Sequence, residues 1–166
     1  MLALACAAGT LRFAIPARNI VRVLPRQALL PLPTAPDCIV GMLRFQGQLV
    51  TTLDLCQLVL NRPALTCPAT RIVIVKLAPG TDSDSQPRLL ALIAEDVLDL
   101  VAVTHSEKGL ALPDAAWLGD FARTEQLTLQ WLVLEKLMPE TLAELSSTMQ
   151  TLLQSQTDPL ISPSAP

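Results

Sequence analysis

The apolar residues of this chain come in short runs. Most alternate with polar positions, and turn-forming residues cut them before they reach helical length. Leu11, Phe13 and Ile15 alternate with Arg12 and Ala14, the pattern of a strand with one buried face. Residues 39–45 and 49–53 flank Gln46-Gly47-Gln48, which predicts a hairpin whose glycine supplies the turn geometry. Residues 71–77 are a β-branched strand with charged ends, and residues 78–88 are a polar, breaker-rich hairpin loop. Residues 89–94 and 97–103 read as strands on either side of Glu95-Asp96, and residues 127–134 as the last strand. Many short strands with turn signals between them predict an all-β barrel or sandwich rather than βαβ units.

Helical signals are few. Residues 54–61 predict a short central helix, with Asp54 placed to cap its first turn. A second helix starts near Pro139 and carries an apolar stripe of Leu142, Leu145, Met149, Leu152 and Leu153. The Pro- and Ser-containing stretch that follows is expected to be disordered, so we read one domain over residues 1–156 and a tail over 157–166.

With 51% apolar and 16% charged residues, 166 residues can bury a real core, which excludes a disordered chain. A net charge of −3 and an aromatic fraction of 3% offer little to a nucleic acid. No segment approaches the roughly 18 apolar residues of a membrane span. Cysteines at 6, 38, 56 and 67 show no paired spacing and read as reduced, buried thiols. The opening Met-Leu-Ala-Leu-Ala-Cys lacks the basic and apolar lengths of a lipoprotein signal, so a cytoplasmic protein is expected. The charge is lopsided: residues 1–76 carry eight basic and two acidic groups, and residues 77–166 carry thirteen acidic and four basic. Either the halves pair internally, or they present surfaces of opposite sign to different partners.

Nothing assembles an active site. The one histidine, His105, reads as an exposed turn residue, and Ser106 and Glu107 beside it do not give triad geometry. Glu95, Asp96 and Asp99 are too few to wrap a hard cation and read as solvated. Six glycines form no phosphate-binding loop, and Trp117 and Trp131 read as core or barrel-plug residues. These observations predict a non-enzymatic protein with no cofactor and no metal.

The hairpin of residues 40–55, Val-Gly-Met-Leu-Arg-Phe-Gln-Gly-Gln-Leu-Val-Thr-Thr-Leu-Asp-Leu, resembles the central motif of the CheW family of chemotaxis coupling proteins, with Gly41, Gly47, Asp54 and Leu55 in register. Phe13-Ala-Ile-Pro, Ile20-Val-Arg-Val and Pro31-Leu-Pro-Thr-Ala-Pro follow the spacing of the family's opening segments. Residues 71–77, 92–100 and 129–137 resemble its later strands, so the likeness runs over about residues 10–140. It implies two small five-stranded SH3-like barrels with a short central helix and a C-terminal helix. It also implies an adaptor that couples the cytoplasmic tips of methyl-accepting chemoreceptors to the regulatory domain of a CheA-type histidine kinase, in arrays at the inner membrane, with other CheW-like proteins as further partners.

By the same resemblance, Ile20, Gln46, Ile72 and Leu100 fall near the receptor-facing groove between barrels. Gln46 replaces an arginine often needed for receptor coupling, and a neutral amide lacks the charge and fork of donors of a guanidinium. Arg44 offers charge two residues earlier, Arg22 stands where relatives often carry an acid, and Gly41 and Gly47 fall in register with the motif's glycines, Gly47 in the hairpin turn. These departures point to a specialised member of an alternative chemosensory system. A stand-alone ligand-sensing β-barrel is the alternative reading, and it would need convergent polar groups in a pocket.

Overall fold

In the computed structural model, which describes residues 1–33, 35–78, 87–97 and 99–138, the strands form two sheets. The first holds β1 (Leu2–Ala8), β2 (Leu11–Pro16), β8 (Leu100–Ala102), β9 (His105–Glu107), β10 (Leu118–Arg123) and β11 (Thr128–Leu132), in the order β8-β1-β2-β11-β10-β9. The second holds β3 (Ile20–Pro25), β4 (Ile39–Phe45), β5 (Gln48–Asp54), β6 (Arg71–Lys76) and β7 (Leu89–Ala94), in the order β3-β6-β7-β5-β4. The all-β expectation therefore holds. The helix read from Pro139 onward and the tail lie outside the described residues, as does most of the loop at 78–88.

The first sheet closes on itself through one bent segment. The Val103 N–H donates to the Met1 carbonyl at 2.8 Å and extends β8 along β1, and the Thr104 N–H donates to the Arg123 carbonyl at 2.8 Å and starts β9 along β10. Strands β8 and β9 are thus two halves of a single strand serving both edges, which reduces six strands to the five expected of a small barrel. His105 consequently sits in a short exposed strand, opposite Arg123, and not in a turn.

The second sheet closes in the same way. After β3 the chain reaches Leu30, whose N–H and carbonyl each pair with Met42 of β4 at 2.8 Å. Matching β3 with β8, Leu30 with β9, β4 with β10, β5 with β11, β6 with β1 and β7 with β2 superimposes the two strand orders, including the single parallel pair in each. The chain is a duplicated barrel in which the second copy is inserted after β2 of the first. No repeat is visible in the sequence because the two copies share topology and not residues.

Strand β1 explains how the barrels join. Ala3 and Ala5 lie in a cluster with Ala14, Ala122 and Leu129, residues of the first sheet alone, so this cluster fills the first barrel. Leu4, Cys6 and Ala8 point the other way, with Phe13 and Ile15, into a core shared with Leu43, Val50, Leu53, Ile74 and Leu92 of the second sheet. Both faces of β1 are buried, so its sequence shows no alternation, and the opening apolar run is an inner strand of the first sheet, between β8 and β2.

The helix after β5, α1 (Leu55–Leu60), is built as the sequence predicts. The Asp54 carboxylate accepts from the Cys56 N–H at 2.9 Å and the Gln57 N–H at 3.4 Å, and Asn61 ends the helix in the left-handed conformation. The second Asp54 oxygen accepts from the Ala64 N–H at 2.9 Å, so this buried carboxylate also pins the chain that leaves the helix.

Candidate protein-interaction surfaces

The eight residues singled out from the sequence separate into four places. Ile20 and Arg22 lie on β3, an edge strand whose only strand partner among the described residues is β6. A bulge between Ile20 and Arg22 turns successive side chains outward, leaving Val21 at 42% and Val23 at 36% exposure on either side of an exposed Arg22. Ile20 itself is half-buried against the shared core.

Arg44, Gln46 and Gly47 lie at the β4–β5 hairpin. Phe45 pairs with Gln48, so the turn is the two residues Gln46-Gly47 and β5 begins at Gln48. Both have positive φ, 48° and 78°, as a tight hairpin matched to strand twist requires, and glycine takes this geometry without cost. Gln46 is exposed at the tip, and Arg44 is exposed on β4 two residues before it. Leu100 is on β8 in the first barrel, 54% exposed.

Two of the eight are not surface positions. Ile72 is 1% exposed and belongs to the shared core, because β6 is covered on both faces and offers no apolar side chain to a partner. Gly41 is buried at φ +148°, and a Cβ there would stand 2.5 Å from the Leu30 carbonyl oxygen. Its role is to let the closing segment of the second barrel approach β4.

The sequence reading missed Glu95. Read there as solvated, it is 6% exposed and sits where the barrels meet. Its backbone pairs with Ala7 of β1 in both directions, at 2.8 and 2.9 Å. One carboxylate oxygen accepts from Arg62 at 2.9 Å, from the Cys56 thiol at 2.9 Å and from the Gly9 N–H at 3.3 Å. Burial alone would raise the carboxyl pKa, but the hydrogen bonds from Cys56, Arg62 and Gly9 outweigh it and the net shift is downward. Asp96 and Asp99 are exposed, as expected.

The cysteine expectation holds for Cys6 and Cys56, which are buried, but Cys38 is half-buried and Cys67 is exposed. The tryptophans are half-buried, Trp117 against the shared core and Trp131 against the core of the first barrel. An open cleft of about 940 Å³ runs between the sheets, lined by Pro16, Arg18, Lys76, Leu77, Trp131, Leu134 and Glu135 among others. It lies between the barrels rather than inside one, a poor match to the sensing-barrel alternative. Among the described residues no group of His, Cys, Asp and Glu is arranged to hold a metal, and no helix is long and apolar enough to cross a membrane.

Charge is segregated in space as well as in sequence. The described ion pairs are Arg62–Glu95 at 2.9 Å and Arg123–Glu107 at 3.3 Å, and only the first joins the basic half to the acidic half. Internal pairing therefore does not absorb the asymmetry among the described residues.

Residues 3–141 match the family model described as the CheW-like domain. Protein FrzA of Myxococcus xanthus is 33% identical over 66 residues, 40% of this chain, and the match spans 41% of FrzA's own length. The scaffolding protein TtCheW from Thermoanaerobacter tengcongensis has a similar crystal structure, with a TM-score of 0.68 over 80% of this chain and 84% of that one at 15% identity. The likeness begins at β1, several residues before the motifs that carry it in the sequence.

Proposed function

Because the chain belongs to the CheW-like domain family, we propose that it couples the cytoplasmic tips of chemoreceptors to the regulatory domain of a CheA-type histidine kinase, in arrays at the cytoplasmic face of the inner membrane. Members of the family are non-enzymatic scaffold proteins, and this chain is a chemosensory adaptor of that kind. The observation that carries the coupling is that two topologically equivalent barrels, locked on one shared core, each expose apolar residues on a terminal strand of their sheet, Val21 and Val23 on β3 in the second barrel and Leu100 on β8 in the first. An adaptor needs two docking surfaces held in fixed relation, and a continuous close-packed core provides that rigidity. Affinity comes from the exposed apolar residues Val21, Val23 and Leu100, and partner choice from the charges around them.

The test is co-sedimentation with receptor cytoplasmic fragments. Gln46→Arg adds a charged fork of donors at an exposed turn and leaves the core untouched. It is expected to change the bound fraction while the melting temperature moves by no more than about 2 °C, a shift of under roughly 1 kcal/mol. Identical sedimentation of the two proteins at every receptor concentration removes Gln46 from the contact surface. No sedimentation of either with the cognate receptor contradicts the receptor half of the proposal.

A further inference from the structure

We infer that the β3 edge is a docking strip selective for an acidic protein segment, one that alternates apolar and carboxylate side chains. This rests on the adaptor reading only in taking β3 to be a partner surface; the sign of the partner comes from this chain's own residues. Arg18 precedes β3 in the short 3-10 turn Ala17–Asn19, and the Asn19 amide donates to the Lys76 carbonyl at 2.9 Å, which holds the ends of β3 and β6 together. Arg18 and Lys76 thereby share one rim of the cleft. Arg22 follows between Val21 and Val23, and Arg71 lies opposite Pro25 at the far end.

All four cations are exposed, and none has a carboxylate within ion-pair distance among the described residues. Arg26 is different, being turned away to the Ala64 carbonyl and the Thr66 hydroxyl. Among the described residues Glu135 is the one carboxylate lining the cleft, and it forms no ion pair there. The only acids in residues 1–76 are Asp37 and Asp54, and Asp54 is buried and committed to the helix cap. An edge strand also offers unpaired backbone N–H and carbonyl groups, to which an extended segment adds in register, with its alternate side chains meeting alternate positions of β3. A partner with carboxylates opposite Arg22 and Arg18 and an aliphatic residue over Val21 or Val23 satisfies charge and apolar area together.

The probes are two synthetic octapeptides, four Glu-Val repeats and four Lys-Val repeats, titrated into the ¹⁵N-labelled full chain. The full chain keeps every other acid, Asp82 and Asp84 included. The Glu-Val peptide is expected to move the amide signals of residues 18–24 saturably, with an effect that weakens as salt rises, and the Lys-Val peptide to leave them in place. Arg18→Glu with Arg22→Glu is expected to weaken Glu-Val binding about tenfold or more and to admit the Lys-Val peptide, while signals from the core strands stay where they were. The proposal is overturned if neither peptide moves these signals, if both move them equally, or if the double substitution changes nothing. Binding of inorganic polyphosphate without binding of the Glu-Val peptide also overturns it, since the strip would then answer to charge alone. A failure here with receptor and kinase binding intact removes the charge selectivity and leaves the adaptor role standing.

Discussion

Gly41→Ala is expected to lower the melting temperature by about 6–12 °C, the equivalent of about 3 kcal/mol in a chain of this length. Gly41 combines two demands that only glycine meets. Its φ of +148° is a conformation L side chains rarely adopt, and a Cβ would come within 2.5 Å of the Leu30 carbonyl oxygen and 3.0 Å of Leu29 Cβ. The first obstacle is backbone, so no rotamer change relieves it. Relief requires Leu30 to leave Met42, which gives up two 2.8 Å hydrogen bonds and uncovers the outer edge of β4. We therefore expect the variant to aggregate on warming as well as to melt earlier. Calorimetric melting checks this, and an unchanged transition would mean that the 28–32 segment does not close the barrel as described.

The second large effect is at Glu95. Glu95→Ala removes the acceptor for Arg62, the Cys56 thiol and the Gly9 N–H, and is expected to cost roughly 2–3 kcal/mol in chemical denaturation. Arg62→Ala should cost less, because the Glu95 carboxylate keeps its hydrogen bonds from the Cys56 thiol and the Gly9 N–H when the arginine is gone. The pH dependence has a definite sign. Glu95 in the folded chain holds its carboxyl below the ordinary value of 4.5, so just below pH 4.5 the unfolded chain binds the extra proton. The contribution is present above that value and is lost as pH falls toward the folded pKa. Glu95→Gln should flatten this acid limb, and an unchanged limb would mean that another carboxylate governs it. On the alkaline side, burial pushes the Cys6 and Cys56 thiols up to about 12, Cys56 also through its bond to Glu95. The unfolded chain then releases protons that the native chain keeps, and stability declines as pH rises above the ordinary thiol value of 9.

Local chemistry was legible in the sequence where it is decided locally. Asp54 needs only the next three residues to cap α1, and Gln46-Gly47 needs only its flanking strands to turn. The strands with one exposed face announced themselves by alternation. Strand β1 did not, because small residues inside one barrel and larger ones on the shared core make every position apolar. Ile72 was misplaced for the same reason: a buried strand and a docking strand can carry the same aliphatic residue, and only the covering layer separates them. Glu95 lay beyond reach altogether. Its partners stand 33, 39 and 86 residues away, and without them a carboxylate beside Asp96 is most simply read as solvated. The duplication of the barrel was hidden too, since it is a repeat of strand order offset by an insertion.

The adaptor account stands most directly on binding of the full chain to the regulatory domain of its own pathway's CheA-type kinase, measured by titration calorimetry at several temperatures. Barrel-to-barrel docking through apolar strand surface predicts saturable micromolar binding with a negative heat-capacity change. A folded protein that releases no heat and shows no binding to that domain at any temperature would contradict it.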